Sequence, residues 1–292
     1  MISKYLDPKN DLAFKKIFGE EKHKRLPMAF LNAVFNLQGE DLIVDLEFLN
    51  TIQSPEVEAR KESIVDVLVR DQKGSKYVVE MQVAKIEGFE KRAQFYAAKT
   101  YCSHFNAGNP YKELKKVIFL AITSYIAFPE KKGFKSDHLI LDAETHEHDL
   151  QDFSFTFVEL PKFNKKADEL KTLEEKWYYF LKHAEESPNI HAALAANPEI
   201  KAAYEVLERT HWSEKELLLY DKIAMSVADA QGALAAAKNE GLEEGRQEAT
   251  LLIAKKLLDE GLPIETVVKI TGIRQEDFLK LANKASTPRR AQ

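Results

Sequence analysis

Glu62-Ser-Ile-Val-Asp-Val-Leu-Val-Arg-Asp-Gln-Lys-Gly-Ser-Lys-Tyr-Val-Val-Glu-Met-Gln-Val-Ala-Lys85 reads as a tight β-hairpin. Ile64 to Val69 and Tyr77 to Ala84 are rich in β-branched and aromatic residues, and Asp71-Gln-Lys-Gly-Ser75 between them has turn chemistry, with Gly74 suited to a left-handed backbone. If Gln72, Lys73 and Gly74 form the loop, Asp71 pairs with Ser75, and stepping outward pair by pair sets Asp66 across from Glu80. Alternation along a strand places Ile64, Asp66 and Leu68 on one face, Val65, Val67 and Val69 on the other, and Glu80 beside Gln82. An acid inside Ile-Val-Asp-Val-Leu-Val is costly to bury without compensation. A divalent cation held by Asp66, Glu80 and backbone oxygen would supply it. So would exposure on an edge strand or a Lys or Arg partner, and the residues alone leave both readings open.

The 292 residues are 45% hydrophobic, enough for a substantial core, and the net charge of -5 argues against a protein that coats nucleic acid by bulk charge. Cys102 is the single cysteine, so no intramolecular disulfide forms and the cytoplasm is the expected compartment. The N-terminus lacks a secretory apolar core and no stretch approaches the roughly 18 apolar residues of a membrane span, so no membrane partner is expected.

In chain order, Asp7-Pro8 is expected to start a helix over residues 8–18, with Gly19 ending it. Leu12, Ile17 and Phe18 should point inward with Phe14 flanking, while Lys15 and Lys16 stay wet and Asp11 lies near the helix start. His23 to Leu37 reads as a second helix and Leu42 to Leu49 as a strand. After the hairpin come a helix from Phe89 to Asn106, a buried strand at Val117 to Thr123, and strands near His138 to Leu141 and Phe153 to Leu160. This order predicts an α/β sandwich, a mixed central sheet flanked by helices, with the carboxylates at a sheet edge. Composition shifts to helix formers after Lys165, dividing the chain into a domain over 1–165 and an all-helical C-terminal region over 166–292. That region holds a long helix from Lys215 to about Leu258, weakened by Gly232, Gly241 and Gly245, and a helix-turn-helix-like tail punctuated at Gly261 to Pro263 and Thr271-Gly272. Gln275, Glu276 and Asp277 fall on the tail's would-be recognition helix, where acids repel phosphate, so packing or homo-oligomerisation is the preferred reading of these helices. His146 and His148 sit in an acidic loop and read as solvated.

Asp66, thirteen intervening residues, then Glu80-Met-Gln82 resembles the PD-(D/E)XK nuclease signature, in the Glu-x-Gln form of the Rpn (recombination-promoting nuclease) and PD-(D/E)XK transposase family. Tyr5-Leu-Asp-Pro-Lys-Asn-Asp-Leu-Ala-Phe-Lys-Lys-Ile-Phe-Gly19 resembles the family's first helix, and Arg92-Ala-Gln-Phe-Tyr96 its segment after the hairpin. The resemblance implies a restriction-endonuclease-like fold and a metal-dependent DNA endonuclease tied to recombination or transposition. Asp66 and Glu80 would ligate Mg²⁺ or Mn²⁺ with Asp11 assisting, and Gln82 would position the attacking water. Arg92 and Tyr96, one helical turn apart, and Lys15 would support DNA binding. The commoner signature has lysine where this chain has Gln82, and an amide carries no charge. The rival reading is a catalytically silent nuclease fold that binds DNA or protein in a mobile element. Every expected ligand lies before residue 100, so the helices after Phe163 are expected to be dispensable for chemistry.

Overall fold

Gly74 adopts the left-handed backbone the hairpin turn needs, at φ 89°, and Asp71 closes the turn by donating its N–H to Ser75 O at 3.0 Å. Its carboxylate accepts from Lys73 N (2.9 Å) and Ser75 N (2.8 Å), so one side chain fixes the loop and the register together. The computed structural model describes residues 3–53, 63–103 and 109–273. The elements are α1 (Asp11–Phe18), α2 (Arg25–Val34), β1 (Leu46–Phe48), β2 (Ile52–Gln53), β3 (Ser63–Ile64), β4 (Val67–Asp71), β5 (Lys76–Gln82), α3 (Phe89–Cys102), β6 (Val117–Thr123), β7 (Lys135–Leu139), β8 (Phe153–Glu159), α4 (Leu173–His183), α5 (Ala192–Ala195), α6 (Pro198–Leu207), α7 (Glu214–Asp259) and α8 (Ile264–Thr271).

A mixed six-stranded sheet runs β1-β4-β5-β6-β8-β7, with β2 and β3 paired separately. The hairpin has the expected register, Val67 opposite Val79 and Arg70 opposite Lys76. β5, β6 and β8 are mutually parallel, and β6, paired on both sides and covered on both faces, is buried along its whole length. Two expectations need correction. Glu80 lies in β5, an interior strand, so the acids sit at strand ends within the sheet and not at its edge. The chain also bends at Asp66 between β3 and β4, which breaks the alternation: Val65 joins Leu68 and Val78 on one face, while Val67 and Val69 pack on the other.

The expected first strand is shorter than its β-prone sequence. Ile43 exchanges both backbone hydrogen bonds with the Asn32 side chain of α2, at 2.9 Å each, and only Leu46–Phe48 joins the sheet. α3 stops at Cys102, with Ser103 extended; its expected end, Asn106, lies outside the described residues, as do Gln275, Glu276 and Asp277. Lys76 buries its ammonium against the end of α3, donating to Thr100 O (2.9 Å), Ser103 O (3.2 Å) and Ser103 Oγ (3.3 Å), where helix carbonyls present a partial negative charge.

Each face of the sheet carries its own core. α3 covers one with Phe89, Ala93 and Ala97 against Val78, Phe119 and Phe157. On the other, Phe14 and Phe18 of α1 and Phe30 of α2 pack with Trp177 and Phe180 of α4 and Tyr204 of α6. α4 and α6 therefore do not stand apart from the sheet: ring centroids of Phe18 and Phe30 lie 5.7 and 5.5 Å from Trp177, and Tyr204 joins the same cluster. The start of the chain is tied there too, Leu6 N donating to Leu207 O and Arg209 N to Lys4 O, both at 3.0 Å. Packing divides the chain into a first unit, Met1–Val227, and a second, Ala228–Gln292. In the second, Ala254 of α7 and Val267 of α8 are buried among Leu251, Leu257, Leu258 and Leu262, and Gly261 and Gly272 take left-handed backbones at the expected punctuation points. α7 runs unbroken through Gly232, Gly241 and Gly245. Among the described residues no helix is long and apolar enough to cross a membrane.

The aromatic cluster makes α4 and α6 part of the core whatever their part in chemistry, because without them the inner faces of α1 and α2 would meet water. Trp177→Ala should lower the unfolding free energy by about 3–5 kcal/mol, read from urea midpoints. A chain ended at Phe163 should show no cooperative transition.

Candidate active site

α1 begins at Asp11 because Asn10 caps it: Asn10 Oδ1 accepts from Leu12 N at 3.0 Å, and its Nδ2 donates to Tyr220 O at 3.3 Å. Asp7, the expected cap, instead accepts from Lys9 N at 2.9 Å in the preceding turn, so the helix starts later than Asp7-Pro8 suggests. Gly19 ends it with its N–H on Lys15 O at 2.7 Å, where a Cβ would lie 2.9 Å from that oxygen. Ala13, Phe14, Ile17 and Phe18 are buried, so Phe14 is a core residue and Leu12 the flanking one, the reverse of the expectation. Lys16 is not wet either; its ammonium meets Glu216 at 2.5 Å and stacks 4.0 Å over the Trp212 ring.

The burial of that inner face aims the outer face of α1 at the bend before β4. Lys15 Nζ lies 2.7 Å from Asp11 Oδ1 and 3.8 Å from Asp66 Oδ1. Asp66 Oδ2 accepts from Met81 N at 2.8 Å, and Asp66 N donates to Glu80 Oε1 at 3.2 Å. The other Glu80 oxygen accepts from Gln82 Nε2 at 3.0 Å, and Gln82 Oε1 accepts from Arg92 Nη2 at 2.6 Å. Arg92 stacks 5.1 Å over Phe89 and 5.9 Å over Tyr96. One chain of contacts thus joins Asp11, Lys15, Asp66, Glu80, Gln82, Arg92 and Tyr96, from α1 on one face of the sheet to α3 on the other.

Glu80 is 3% exposed. Burial pushes its carboxyl above the usual range, the charge of Asp66 adds to this, and Arg92 opposes it. Burial likewise raises Asp66, opposed by the Met81 N–H and reinforced by the Asp11 charge. Partial burial disfavours the charged form of Lys15, but the bond to Asp11 and the charges of Asp11, Asp66 and Glu80 outweigh it and raise the lysine's pKa.

Two residues beyond the expected set line this end of the sheet. Pairing of β6 with β5 places Thr123 opposite Gln82, and Ser124 N donates to Gln82 O at 2.9 Å. Ser124 Oγ, Tyr125 Oη and Arg92 Nε are buried with no hydrogen-bond partner among the described residues. The signal was present in the sequence as a polar Thr123-Ser-Tyr125 closing an otherwise apolar strand. His146 is exposed in its loop, and among the described residues no group of three or more His, Cys, Asp or Glu side chains is gathered to hold a metal ion. The donor set nonetheless fits a hard cation: two acids linked through the Asp66 backbone N–H offer oxygen alone, and Mg²⁺ commonly takes one or two carboxylates and completes its shell with water and phosphate.

The model of the PD-(D/E)XK nuclease family transposases matches residues 8–237, and that of the Rpn/YhgA-like nuclease family C-terminal HTH domain matches residues 247–283. No curated protein and no solved structure matches the chain.

Because folding raises the Glu80 pKa, the folded state holds its proton to higher pH than the unfolded chain. Stability from this group is full below the ordinary glutamate pKa and declines as pH rises above it. The stability of metal-free Glu80→Gln relative to wild type should therefore rise between about pH 5 and about pH 8, by about 1 kcal/mol or more, in urea titrations with a chelator present. A difference independent of pH would contradict the assigned environment.

Proposed function

The chain belongs to the PD-(D/E)XK nuclease family transposases, and from that premise we propose that it hydrolyses DNA phosphodiester bonds with Mg²⁺ or Mn²⁺, in the service of recombination or transposition. The observation that carries this reading is the contact between Asp66 and the buried Glu80, two acids joined through a backbone N–H at interior strand ends. A buried acid with a second, partly buried acid beside it is costly unless a positive charge serves them. Asp66 and Glu80 would hold the ion. When bound, it polarises a phosphoryl oxygen and lowers the pKa of the attacking water.

The remaining residues then divide the work. Water adds to phosphorus, the bond to one sugar oxygen breaks, and a proton from the water ends on the departing oxygen. Gln82 spends one amide hydrogen on Glu80 and keeps a second, which would orient the water. Arg92, braced by Gln82 and two aromatic rings, would meet a backbone phosphate with Tyr96 beside it. The match to the C-terminal HTH domain supports the two helices separated by the Gly261 to Pro263 turn as the element that would grip duplex DNA, in place of the packing role read from the tail's acids. A second copy of the chain would find the exposed Leu234 and Leu242 on α7. The neutral Gln82 favours one other reading, a nuclease fold that binds DNA without cutting it, and cleavage assays separate the two.

Asp66→Ala and Glu80→Ala should each abolish Mn²⁺ binding by calorimetry and metal-dependent cleavage of plasmid DNA, while both variants stay folded. Gln82→Ala should lower kcat by roughly 10- to 1,000-fold with Mn²⁺ affinity nearly unchanged. Equal Mn²⁺ affinity in wild type and both acid variants would refute the site.

A further inference from the structure

Resting on the nuclease reading above, we propose that Lys15 supplies the positive charge that Gln82 cannot, and that Asp11 is a positioning residue for Lys15 and not a ligand of the cation. In phosphodiester hydrolysis negative charge builds on the phosphoryl oxygens and the departing oxygen, and a fixed ammonium nearby stabilises it. Gln82 offers no charge, and both ends of its amide are engaged, by Glu80 and by Arg92. Arg92 reaches the acid pair through Gln82 and is held against Phe89 and Tyr96. Lys15 reaches the pair from the other face of the sheet, with its ammonium 3.8 Å from Asp66 Oδ1.

Asp11 sits where a positioning residue should. Its Oδ1 is 2.7 Å from the Lys15 ammonium one helical turn on, and its side chain is 47% exposed. An ordinary pair at this spacing on a helix surface involves one helix alone. Here the ammonium also approaches a carboxylate on another element, and the helix that carries it is fixed by the Asn10 cap and by the buried Phe14, Ile17 and Phe18. Asp11 is the acid closer to that ammonium, 2.7 Å against 3.8 Å for Asp66, which suits it to holding Lys15 and leaves Asp66 to face the ion. The Asp11 charge reaches Asp66, yet among the described residues no group of three acids is gathered to hold a metal ion. Lys15 thus brings an ammonium to the carboxylates from α1, in a chain whose strand carries a neutral Gln82.

The full-length protein tests both halves, with Mn²⁺ alone as the calorimetric probe and plasmid DNA as substrate. Asp11→Asn and Lys15→Gln should bind Mn²⁺ about as tightly as wild type, or more tightly in Lys15→Gln because a competing positive charge is gone. Lys15→Gln should lower kcat by about 100-fold with little change in KM for DNA, Asp11→Asn should show a smaller loss of the same kind, and Lys15→Arg should keep much of the activity. Lys15→Gln combined with Gln82→Lys should recover activity, because the charge returns from the strand. Loss of Mn²⁺ binding in Asp11→Asn as complete as in Asp66→Ala would make Asp11 a ligand and overturn its assignment. Unchanged kcat in Lys15→Gln, or no recovery in the double variant, would overturn the role of Lys15 while leaving the nuclease reading intact. A wild-type protein that binds Mn²⁺ but never cuts DNA would remove the nuclease reading and this inference together.

Discussion

Two acids held in contact inside the sheet are the constraint around which this protein is arranged. Bringing Asp66 against the buried Glu80 costs desolvation and repulsion, and the fold meets that cost with directed donors: the N–H groups of Asp66 and Met81 and the amide of Gln82. These donors belong to the strands themselves, so the acids stay together only while the hairpin keeps its register. The register in turn rests on Asp71, whose carboxylate gathers two turn N–H groups at the far end of the same strands. A local loop motif thereby governs electrostatics several residues away.

Much of this was legible because hairpin chemistry is local. Gly74 and Asp71 announce the turn, and counting outward from it brings Asp66 to Glu80. What could not be read depends on contacts distant in sequence. The bend at Asp66, which sends Val65 to the opposite face from Val67, arises where β4 leaves one pairing and β3 enters another. Ile43 reads as strand by propensity, yet the Asn32 side chain takes its backbone hydrogen bonds. The shift to helix-forming residues after Lys165 marks a change in secondary structure, but Trp177 and Tyr204 belong to the same core as Phe14. Ser124 goes unnoticed in the sequence because only parallel pairing of β6 with β5 brings it to Gln82.

The candidate site lies where the two cores meet. α1, packed on one face, presents an acid and a lysine; α3, packed on the other, presents an arginine and a tyrosine; the strand ends between them present the buried pair. Neither helix reaches the site through a long flexible loop of polar residues. Each is fixed by apolar side chains on its inner face, which leaves the outer face to carry charge. Glutamine at the signature position suits this layout, since it links the acids to Arg92 by hydrogen bonds without adding a second cation next to Lys15.

Lys76 gives α3 a mechanical property. Its ammonium grips the carbonyls at the C-terminal end of the helix, while Arg92, near the other end, is joined to Gln82 at the opposite end of the strand that Lys76 begins. Strand and helix are thus riveted at both ends, like two bars of a closed frame. A closed frame resists shear, so α3 cannot tilt as a lid over the strand ends without breaking one of its rivets. The guanidinium and the acids are consequently preassembled, and any ligand arriving there meets a spacing that is already set.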